Sequence, residues 1–367
     1  MTAGAGGPRV GFDVTALLAG DTGVARYVRE LGAALERRGV ELVRYAVGRG
    51  DGAGLPVGTR RRRVPLRVVQ RSRLASAWLS AERLAPGCDL VHVPDLVPPP
   101  ATVPLVLTVH DLVALEHPAL HPSRAAHAQQ LQLDAARDVA DVVLAVSQAT
   151  ADALVRNGVP QDRIVVAPNG VTTLPAPDRS VAPARPFLLA VGAITPRKGL
   201  ALLASAFAAA ALPPETVLVL AGADGWDAAR VVNDIASVGA GDRVVRTGRV
   251  TDGQLAALYR ECIAVCVPSV AEGFGLPVIE AAAAGAPVVA SDLAVFRELD
   301  TGALLVPAGD VTAWSAALER VAGDRELRAA AAARADHIEC TFSWDRTAAI
   351  TIAAYERARA GKATASV

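Results

Sequence analysis

Short apolar runs alternate with longer amphipathic segments along nearly all of the 367 residues. Each run suits one buried strand, and the segments between the runs carry apolar residues at helical spacing, as Val24, Val28 and Leu31 do. Parallel strands need a crossover between them, which a helix usually provides. The alternation therefore predicts an α/β fold of doubly wound parallel sheets with helices on both faces.

The predicted strands fall into two groups along the chain. The first group is Arg9–Val14, Val40–Val47, Leu90–Val93, Leu105–His110, Val142–Val146 and Ile164–Ala167. The second group is Phe187–Val191, Val217–Ala221, Arg243–Thr247, Ile263–Val267 and Val288–Ala290. Two groups of this size indicate two domains.

A proline-rich segment separates the two groups. Residues 172–186 include four prolines, which oppose regular structure. The predicted limits are a first domain at 1–173, a linker at 174–186, a second domain at 187–344, and a helix and tail at 345–367 that return to the first domain. Two such domains are expected to leave a cleft for a ligand, which in open α/β sheets binds beyond the carboxyl ends of the strands.

Composition excludes several classes of protein. Lysine plus arginine and aspartate plus glutamate both number 37, so the formal net charge is zero, and aromatic residues make up 4%. A nucleic-acid binder would show a basic surplus and aromatic stacking platforms. Residues 1–8 lack the features of a signal peptide, and no run reaches the roughly 20 apolar residues of a membrane span. We therefore expect a soluble cytoplasmic protein, which sparse cysteines without CxxC pairs also favour.

The segment SVAEGFGLPVIEAAAAG, residues 269–285, carries the most specific pattern. It follows a predicted strand, its two loop glycines permit a tight turn, and its proline suits the first turn of a helix. A helix N-terminus binds phosphate or sugar hydroxyls through its amides and dipole. Glu272 in the loop and Glu280 in the helix are predicted to contact different parts of one ligand. The alternative is a capped helix with two solvated glutamates.

Two further loops follow predicted strands. GAITPRKG carries Arg197 and Lys198, and two cations at the end of a strand suit a diphosphate, with a basic surface loop as the alternative. TVHD places His110 at the end of another strand, where its side chain is expected to face the ligand, although a lone histidine is more often structural. Asp111 would either orient His110 or cap the next segment.

Two other features are less specific. Gly23 opens a helix after the first strand, so amides there are candidates for binding phosphate or acceptor, but the turn lacks the GxGxxG of a dinucleotide site. The run Arg60–Arg63, with Arg67, Arg71 and Arg73, would attract anionic lipid or an anionic acceptor. A solvated basic edge is the favoured interpretation.

With these motifs, the sequence resembles the retaining glycosyltransferases of family 4. That family has the GT-B fold, in which two Rossmann-like domains face each other across a cleft. Its signature is a glutamate, seven residues and a second glutamate, which stands here as Glu272 to Glu280 in EGFGLPVIE. The resemblance covers nearly the whole chain and is strongest from Phe187 to Pro307. TGVARYVREL, TVHDL and VSQATAD are similar to bacterial members that often transfer mannose.

The resemblance implies a role for each matched residue. Glu272 would lie beside the donor sugar, Glu280 would bind the ribose hydroxyls, and His110 would lie near the reacting centre. Arg197 and Lys198 would neutralise the leaving diphosphate. The other implied donor contacts are those of Gly23, of the nucleobase loop Gly248, Arg249 and Val250, and of the backbone of Phe274, Gly275 and Leu276. Gly23 departs from the family, which often has two glycines where this chain has Thr22-Gly23.

The implied reaction moves a hexosyl group of mannosyl or glucosyl type from a nucleoside diphosphate to a hydroxyl of a glycan, glycolipid or small natural product. GDP-mannose is the leading donor, and UDP-sugars are the second choice. No DxD-type acidic pair lies in a suitable loop, so no metal or other cofactor is expected. No nucleic-acid partner is expected, and peripheral membrane contact is not favoured.

Other functions stay open on the sequence. A sugar-nucleotide epimerase shares the fold and would release a changed sugar nucleotide without an acceptor. A non-catalytic nucleotide-sugar-binding regulatory protein would bind donor without turnover. A nicotinamide dehydrogenase is weakened by the missing glycine fingerprint. A phosphorylase would need a lysine for pyridoxal phosphate, and only Lys198 and the tail residue Lys362 exist.

Overall fold

The structure, a computed structural model, describes residues 7–20, 22–64, 80–95 and 97–364. Arg67, Arg71 and Arg73 of the predicted basic segment lie outside these residues. The chain divides into two compact units. The first contains residues 1–116, 123–170 and 343–367, and the second contains residues 117–122 and 171–342.

Within the described residues, the first unit contains a sheet of seven parallel strands in the order β3-β2-β1-β4-β5-β6-β7. The strands are β1 (Arg9–Asp13), β2 (Glu41–Val47), β3 (Arg60–Arg62), β4 (Leu90–Val93), β5 (Leu105–Val109), β6 (Val142–Ala145) and β7 (Ile164–Val166). Among the described residues before 170, the helices are α1 (Gly23–Arg37), α2 (Ala81–Leu84), α3 (Val113–Glu116), α4 (Ser123–Asp138) and α5 (Gln148–Arg156).

The second unit, all of it described, contains six parallel strands in the order β10-β9-β8-β11-β12-β13. The strands are β8 (Phe187–Val191), β9 (Val217–Ala221), β10 (Val244–Gly248), β11 (Val265–Val267), β12 (Val288–Ser291) and β13 (Leu304–Val306). The helices are α6 (Leu200–Ala209), α7 (Ala228–Ser237), α8 (Asp252–Glu261), α9 (Leu276–Ala283), α10 (Ala294–Glu298), α11 (Val311–Gly323) and α12 (Arg325–Thr341).

The remaining elements are one long helix and several short ones. Helix α13 (Trp344–Thr364) belongs to the first unit and packs against α1, β5 and β6. Short 3-10 helices lie at Thr15–Ala19, Pro118–Leu120, Gln161–Arg163, Arg179–Val181, Pro196–Lys198 and Gly241–Arg243.

The predicted α/β class is confirmed, and all predicted strands are present to within two residues at their ends. Strands β3 and β13 were not predicted. Strand β3 is the arginine run itself, paired with β2 at the edge of the first sheet. The sequence did not predict this strand because it contains no apolar run. An edge strand can be charged, and such charge discourages pairing with another chain.

The proline-rich segment lies within the second unit. The chain enters that unit between Gly170 and Val171, before the segment predicted as the linker. Within the segment, the Asp178 amide donates to the carbonyl of Gly253 at 2.9 Å. The side chain of Arg179 pairs with Glu261 of α8 at 2.8 Å. The segment therefore forms one short 3-10 helix and otherwise irregular backbone, and it packs against a helix.

A chain of hydrogen bonds joins α13 to the middle of the first sheet. In β4, His92 contacts the Tyr355 hydroxyl through Nδ1 at 2.7 Å and the Thr108 hydroxyl through Nε2 at 2.8 Å. The Tyr27 hydroxyl lies 3.1 Å from the same Thr108 oxygen. Burial lowers the pKa of His92 to about 3, so the ring is neutral at pH 7. These buried contacts hold α13 and α1 against the sheet.

Candidate functional site

The strand order of the second sheet reverses between β8 and β11. From these two central strands, β9 and β10 follow on one side, and β12 and β13 follow on the other. A reversal of this kind opens a crevice at the carboxyl ends of the two central strands, which is where ligands bind in such sheets. Arg197 and Lys198 follow β8, and Glu272 follows β11. Three predicted site residues therefore lie at this position.

The loops after β8 and β11 are in close backbone contact. The Val270 amide donates to the carbonyl of Arg197 at 2.9 Å. A Cβ at Gly199 would lie 2.1 Å from the carbonyl oxygen of Pro268, and the φ of Gly199 is +64°. Only glycine meets both conditions without strain. Residue 199 thus allows α6 to begin directly beside the end of β11.

Glu272 forms ion pairs with both predicted cations. Its Oε2 lies 2.7 Å from Nη1 of Arg197, and its Oε1 lies 2.6 Å from Nζ of Lys198. The Ser269 hydroxyl donates to Oε1 at 2.7 Å. Arg197 also donates to the carbonyl of Ala271 at 2.8 Å. The Glu272 side chain is only 9% exposed, so this cluster is built into the unit.

Charge in this cluster favours an anionic ligand. Burial by itself raises the pKa of Glu272, but Arg197 and Lys198, with hydrogen bonds from Lys198 and Ser269, lower it well below the ordinary value of 4.5. The carboxylate is therefore ionised at neutral pH. Arg197 and Lys198 thus bring two cations to the place where a phosphate group would bind.

Two helices at the same edge of the sheet begin after a glycine. Gly199 precedes α6, and Gly275, with a φ of +101°, precedes α9. Glycine has no side chain to cap the first amides of a helix, whereas Thr251 and Gln254 form a complete capping box at the start of α8. Helix starts without such a cap bind anions and hydroxyl oxygens through their amides.

The residues between the two glutamates can reach a ligand mainly through their backbone. The Phe274 side chain is 5% exposed and packs edge-on against Phe342, with ring centroids 6.1 Å apart. A Cβ at Gly275 would lie 2.5 Å from Cε1 of Phe296. Leu276 is the first residue of α9 and is half-buried. The backbone contacts of these three residues with a ligand stay a prediction.

Glu280 lies in the second turn of α9 and is 7% exposed. The Tyr259 hydroxyl of α8 donates to its Oε2 at 3.0 Å. A buried carboxylate is costly unless hydrogen bonds compensate for lost water, so its presence inside this unit calls for a function. The alternative of two solvated glutamates is wrong, because the Glu272 side chain is only 9% exposed and Glu280 is buried.

The predicted nucleobase loop lies after the edge strand β10. The pairing register shifts between Arg246 and Gly248, and Gly248 has a φ of +70° with open space beside its Cα. Arg246 pairs with Asp224 in the loop after β9. Arg249 is exposed and Val250 is half-buried. Gly248 is thus the last residue of the strand, and Arg249 and Val250 lie in the loop beyond it.

His110 lies in the first unit, directly after β5. Its Nε2 lies 2.9 Å from the carbonyl of Pro94, and its ring packs edge-on against Tyr27 at 4.7 Å between centroids. Burial lowers the pKa of His110, while Asp95 and Asp111 act in the opposite direction. The ring is held in one orientation by these contacts.

Two further residues of the first unit were considered in the sequence analysis, Asp111 and Gly23. Asp111 caps the following segment, because its Oδ1 accepts from the Val113 amide at 3.0 Å. Gly23 is the exposed first residue of α1. The Thr22 side chain accepts from the Ala25 amide at 3.1 Å, so one amide of that helix start is already bonded.

The sequence did not single out Ser269 and Tyr259 as site residues. The sequence pattern around a serine in a loop motif or a tyrosine on an apolar helix face does not indicate a role in a site. Among the described residues, no group of three or more His, Cys, Asp or Glu side chains is arranged to hold a metal ion. None of the helices in the described ranges is long and apolar enough to cross a membrane.

Comparison with known proteins identifies the family. The model described as Glycosyltransferase Family 4 matches residues 22–173, and the model described as Glycosyl transferases group 1 matches residues 177–337. D-inositol 3-phosphate glycosyltransferase of Xylanimonas cellulosilytica is 33% identical over 77% of this chain and 69% of its own length. O-antigen chain mannosyltransferase B of Escherichia coli is 31% identical over 80% of this chain and 81% of its own length. The chain therefore belongs to the family 4 glycosyltransferases and is a transferase enzyme, which leaves the epimerase alternative without support.

Solved structures share the fold. Sucrose-phosphate synthase from Thermosynechococcus elongatus aligns with a TM-score of 0.77 at 23% identity, covering 96% of this chain and 100% of its own. Anabaena HepE in complex with UDP-glucose aligns with a TM-score of 0.72 at 21% identity, covering 94% of this chain and 98% of its own. These likenesses show the fold alone, and the predicted GT-B class of two Rossmann-like domains is confirmed.

Proposed function

We propose that this glycosyltransferase transfers a hexosyl group from a nucleoside diphosphate hexose to an acceptor hydroxyl with retention of anomeric configuration. The observation that carries the proposal is the largely enclosed cluster of Glu272 with Arg197 and Lys198 at the reversal of strand order. Two cations beside two glycine-started helices fit a diphosphate. A buried carboxylate beside them fits a neutral, hydroxyl-rich sugar.

In the proposed reaction, the bond between the anomeric carbon and the diphosphate oxygen breaks, and negative charge grows on that oxygen. Arg197 and Lys198 stabilise this charge because they are already in place when it forms. The acceptor oxygen bonds to the anomeric carbon on the same face, and its proton passes to the leaving diphosphate. Glu272 lies beside the donor sugar and holds both cations.

The other proposed contacts follow the parts of the donor. Glu280 accepts hydrogen bonds from the ribose hydroxyls, because one carboxylate suits two adjacent hydroxyls. We assign His110 to the reacting centre and Gly23 to phosphate or acceptor. The backbone contacts are assigned to Phe274, Gly275 and Leu276 for sugar and phosphate, and to Gly248, Arg249 and Val250 for the nucleobase.

GDP-mannose is the leading donor in this proposal, and a UDP-hexose is the second choice. The relative from Escherichia coli is named as a mannosyltransferase, which supports the first choice. The HepE structure contains UDP-glucose, which supports the second. The acceptor is proposed to be a hydroxyl of a glycan, glycolipid or small natural product.

The proposal needs no metal ion, because Arg197 and Lys198 supply positive charge where a metal would otherwise act. A cytoplasmic location is also part of the proposal. Its support is that all four cysteines are free thiols, which a reducing compartment maintains.

Hydrolysis of donors in the absence of an acceptor tests the proposal. We expect slow release of free sugar and nucleoside diphosphate from one donor among GDP- and UDP-linked mannose, glucose and galactose. The sugar should be released first as the anomer of the donor, and EDTA should leave the rate unchanged. Loss of activity in EDTA would contradict the metal-free site, and release of the opposite anomer would contradict retention.

A further inference from the structure

Glu280 has a hydrogen-bond donor outside all the sequence motifs. The Tyr259 hydroxyl donates to its Oε2 at 3.0 Å, across the interface between α8 and α9. Tyr259 is fully buried, and Glu280 is 7% exposed. The contact therefore lies inside the packed core of the second unit and joins two residues that are 21 positions apart in the sequence.

Tyr259 and Glu280 both lie on helices that pack into the core of the second unit. A capping box formed by Thr251 and Gln254 sets the start of α8, and α8 packs against β8. On α9, the neighbours of Glu280 that face the core include Val278 and Ile279, which are fully buried. Sites supported from helices in this way hold their geometry better than sites on loops.

One hydrogen bond to a carboxylate oxygen has a specific effect on its orientation. The terminal torsion of glutamate is broad, so an unsupported carboxylate turns through a wide range of angles. A carboxylate has about four acceptor positions, and the bond from Tyr259 occupies one of them. This bond thereby fixes the plane in which the remaining positions of the carboxylate accept hydrogen bonds. Two adjacent hydroxyls of a five-membered ribose ring can both donate to the carboxylate only when this plane has one particular orientation.

We propose that Tyr259 is a positioning residue for ribose recognition. Its hydroxyl orients the Glu280 carboxylate to accept from the 2′- and 3′-hydroxyls of the donor nucleotide, and Tyr259 itself does not touch the donor. This inference rests on the proposed function of Glu280.

A purely structural role gives a different expectation. If Tyr259 only compensates a buried carboxylate, its hydroxyl matters for stability and equally for every ligand. If it positions the carboxylate, its loss weakens binding of ribonucleotides more than binding of deoxyribonucleotides. The ratio of the two affinities separates these roles, and it does not depend on the fraction of active protein.

The test is calorimetric titration of wild type and Tyr259→Phe with the diphosphate that the wild type binds, GDP or UDP, and with its 2′-deoxy and 3′-deoxy counterparts. We expect the wild type to prefer the ribonucleotide by about tenfold or more, which is the effect of losing one hydrogen bond to a charged group. In Tyr259→Phe the preference should fall to about threefold or less.

The matched control is Tyr45→Phe. Tyr45 is also fully buried, and within the described residues its hydroxyl has no hydrogen-bond partner, so this variant loses the same atom without losing a bond. It should keep the wild-type preference. If Tyr259→Phe does not fold, Tyr259→Met also removes the hydroxyl, and its flexible side chain fills irregular core space. It should lower the preference in the same way.

Each outcome has one meaning. An unchanged ribose preference in Tyr259→Phe, or in Tyr259→Met if that variant replaces it, overturns the positioning role and leaves the proposed function intact. A wild type that binds the diphosphate without ribose preference overturns both the positioning role and the ribose assignment of Glu280. A folded wild type that binds neither GDP nor UDP overturns the proposed function itself.

Discussion

Replacing Lys198 with alanine is expected to lower donor turnover by about 10² to 10³ fold, the range found when one group that stabilises developing negative charge is removed. Lys198 is 14% exposed and lies 2.6 Å from Glu272, so its ammonium is held before the donor arrives. Its charge matters most when the diphosphate leaves. The fall should therefore appear in kcat more than in the donor KM.

The chain offers a matched control, because Lys362 is its only other lysine. Lys362 lies in α13, where its Nζ donates to the carbonyl of Val103 at 2.9 Å. Lys362→Ala removes the same charge away from the cluster and should keep turnover within about twofold, as expected for a surface substitution. Near-wild-type kcat in Lys198→Ala at saturating donor would exclude the role proposed for this cation.

Glu272→Gln is expected to destabilise the protein by about 3 kcal/mol and to lower turnover by about 10² fold. Glutamine has one acceptor oxygen in place of two, so Arg197 and Lys198 no longer share a charged partner. The substitution breaks two ion pairs, whose three side chains are 9% to 21% exposed. Turnover falls because the two cations lose the position that the diphosphate requires.

The stability effect should depend on pH. The pKa of Glu272 in the folded protein is below its ordinary value of 4.5. Stabilisation by the carboxylate is therefore fully present above pH 4.5 and is lost as the pH falls below it towards the folded pKa. Chemical denaturation of wild type and Glu272→Gln between pH 7 and pH 3 should show the difference shrinking only below pH 4.5.

Glu261→Gln is the matched control for this experiment. Glu261 pairs with Arg179, whose side chain is 73% exposed, and an exposed pair contributes about 0 to 1 kcal/mol. Its loss should change stability and turnover little. If Glu272→Gln were as stable and as active as Glu261→Gln, the cluster would have no role in either property.

Local pattern predicted the parts of this protein that depend on neighbouring residues in the chain. Apolar runs predicted the buried strands, and the spacing of Glu272 and Glu280 with the glycines and proline between them predicted the loop and helix α9. The arginine strand β3 was missed because pairing at a sheet edge needs no apolar residues. The entry into the second unit was placed too late because proline density predicts irregular backbone, and such backbone can still pack within a unit.

Burial and partners of the site residues could not be predicted in this way. Both glutamates have patterns that fit a solvated surface as well as a site, and only the packing of β8, β11 and α8 makes them buried. The contact from Tyr259 to Glu280 joins two helices that the sequence does not relate. Ser269 lies inside the recognised motif, but only the folded loop brings its hydroxyl to 2.7 Å from Glu272.

The most direct test of the donor site is calorimetric binding of GDP and UDP to wild type and Glu280→Ala, with circular dichroism to confirm that both are folded. We expect the wild type to bind one of the two nucleotides and Glu280→Ala to bind it about 10 to 100 fold more weakly, because two ribose hydroxyls lose a charged acceptor. Equal binding by Glu280→Ala, or no binding by the folded wild type, would contradict the proposed donor site.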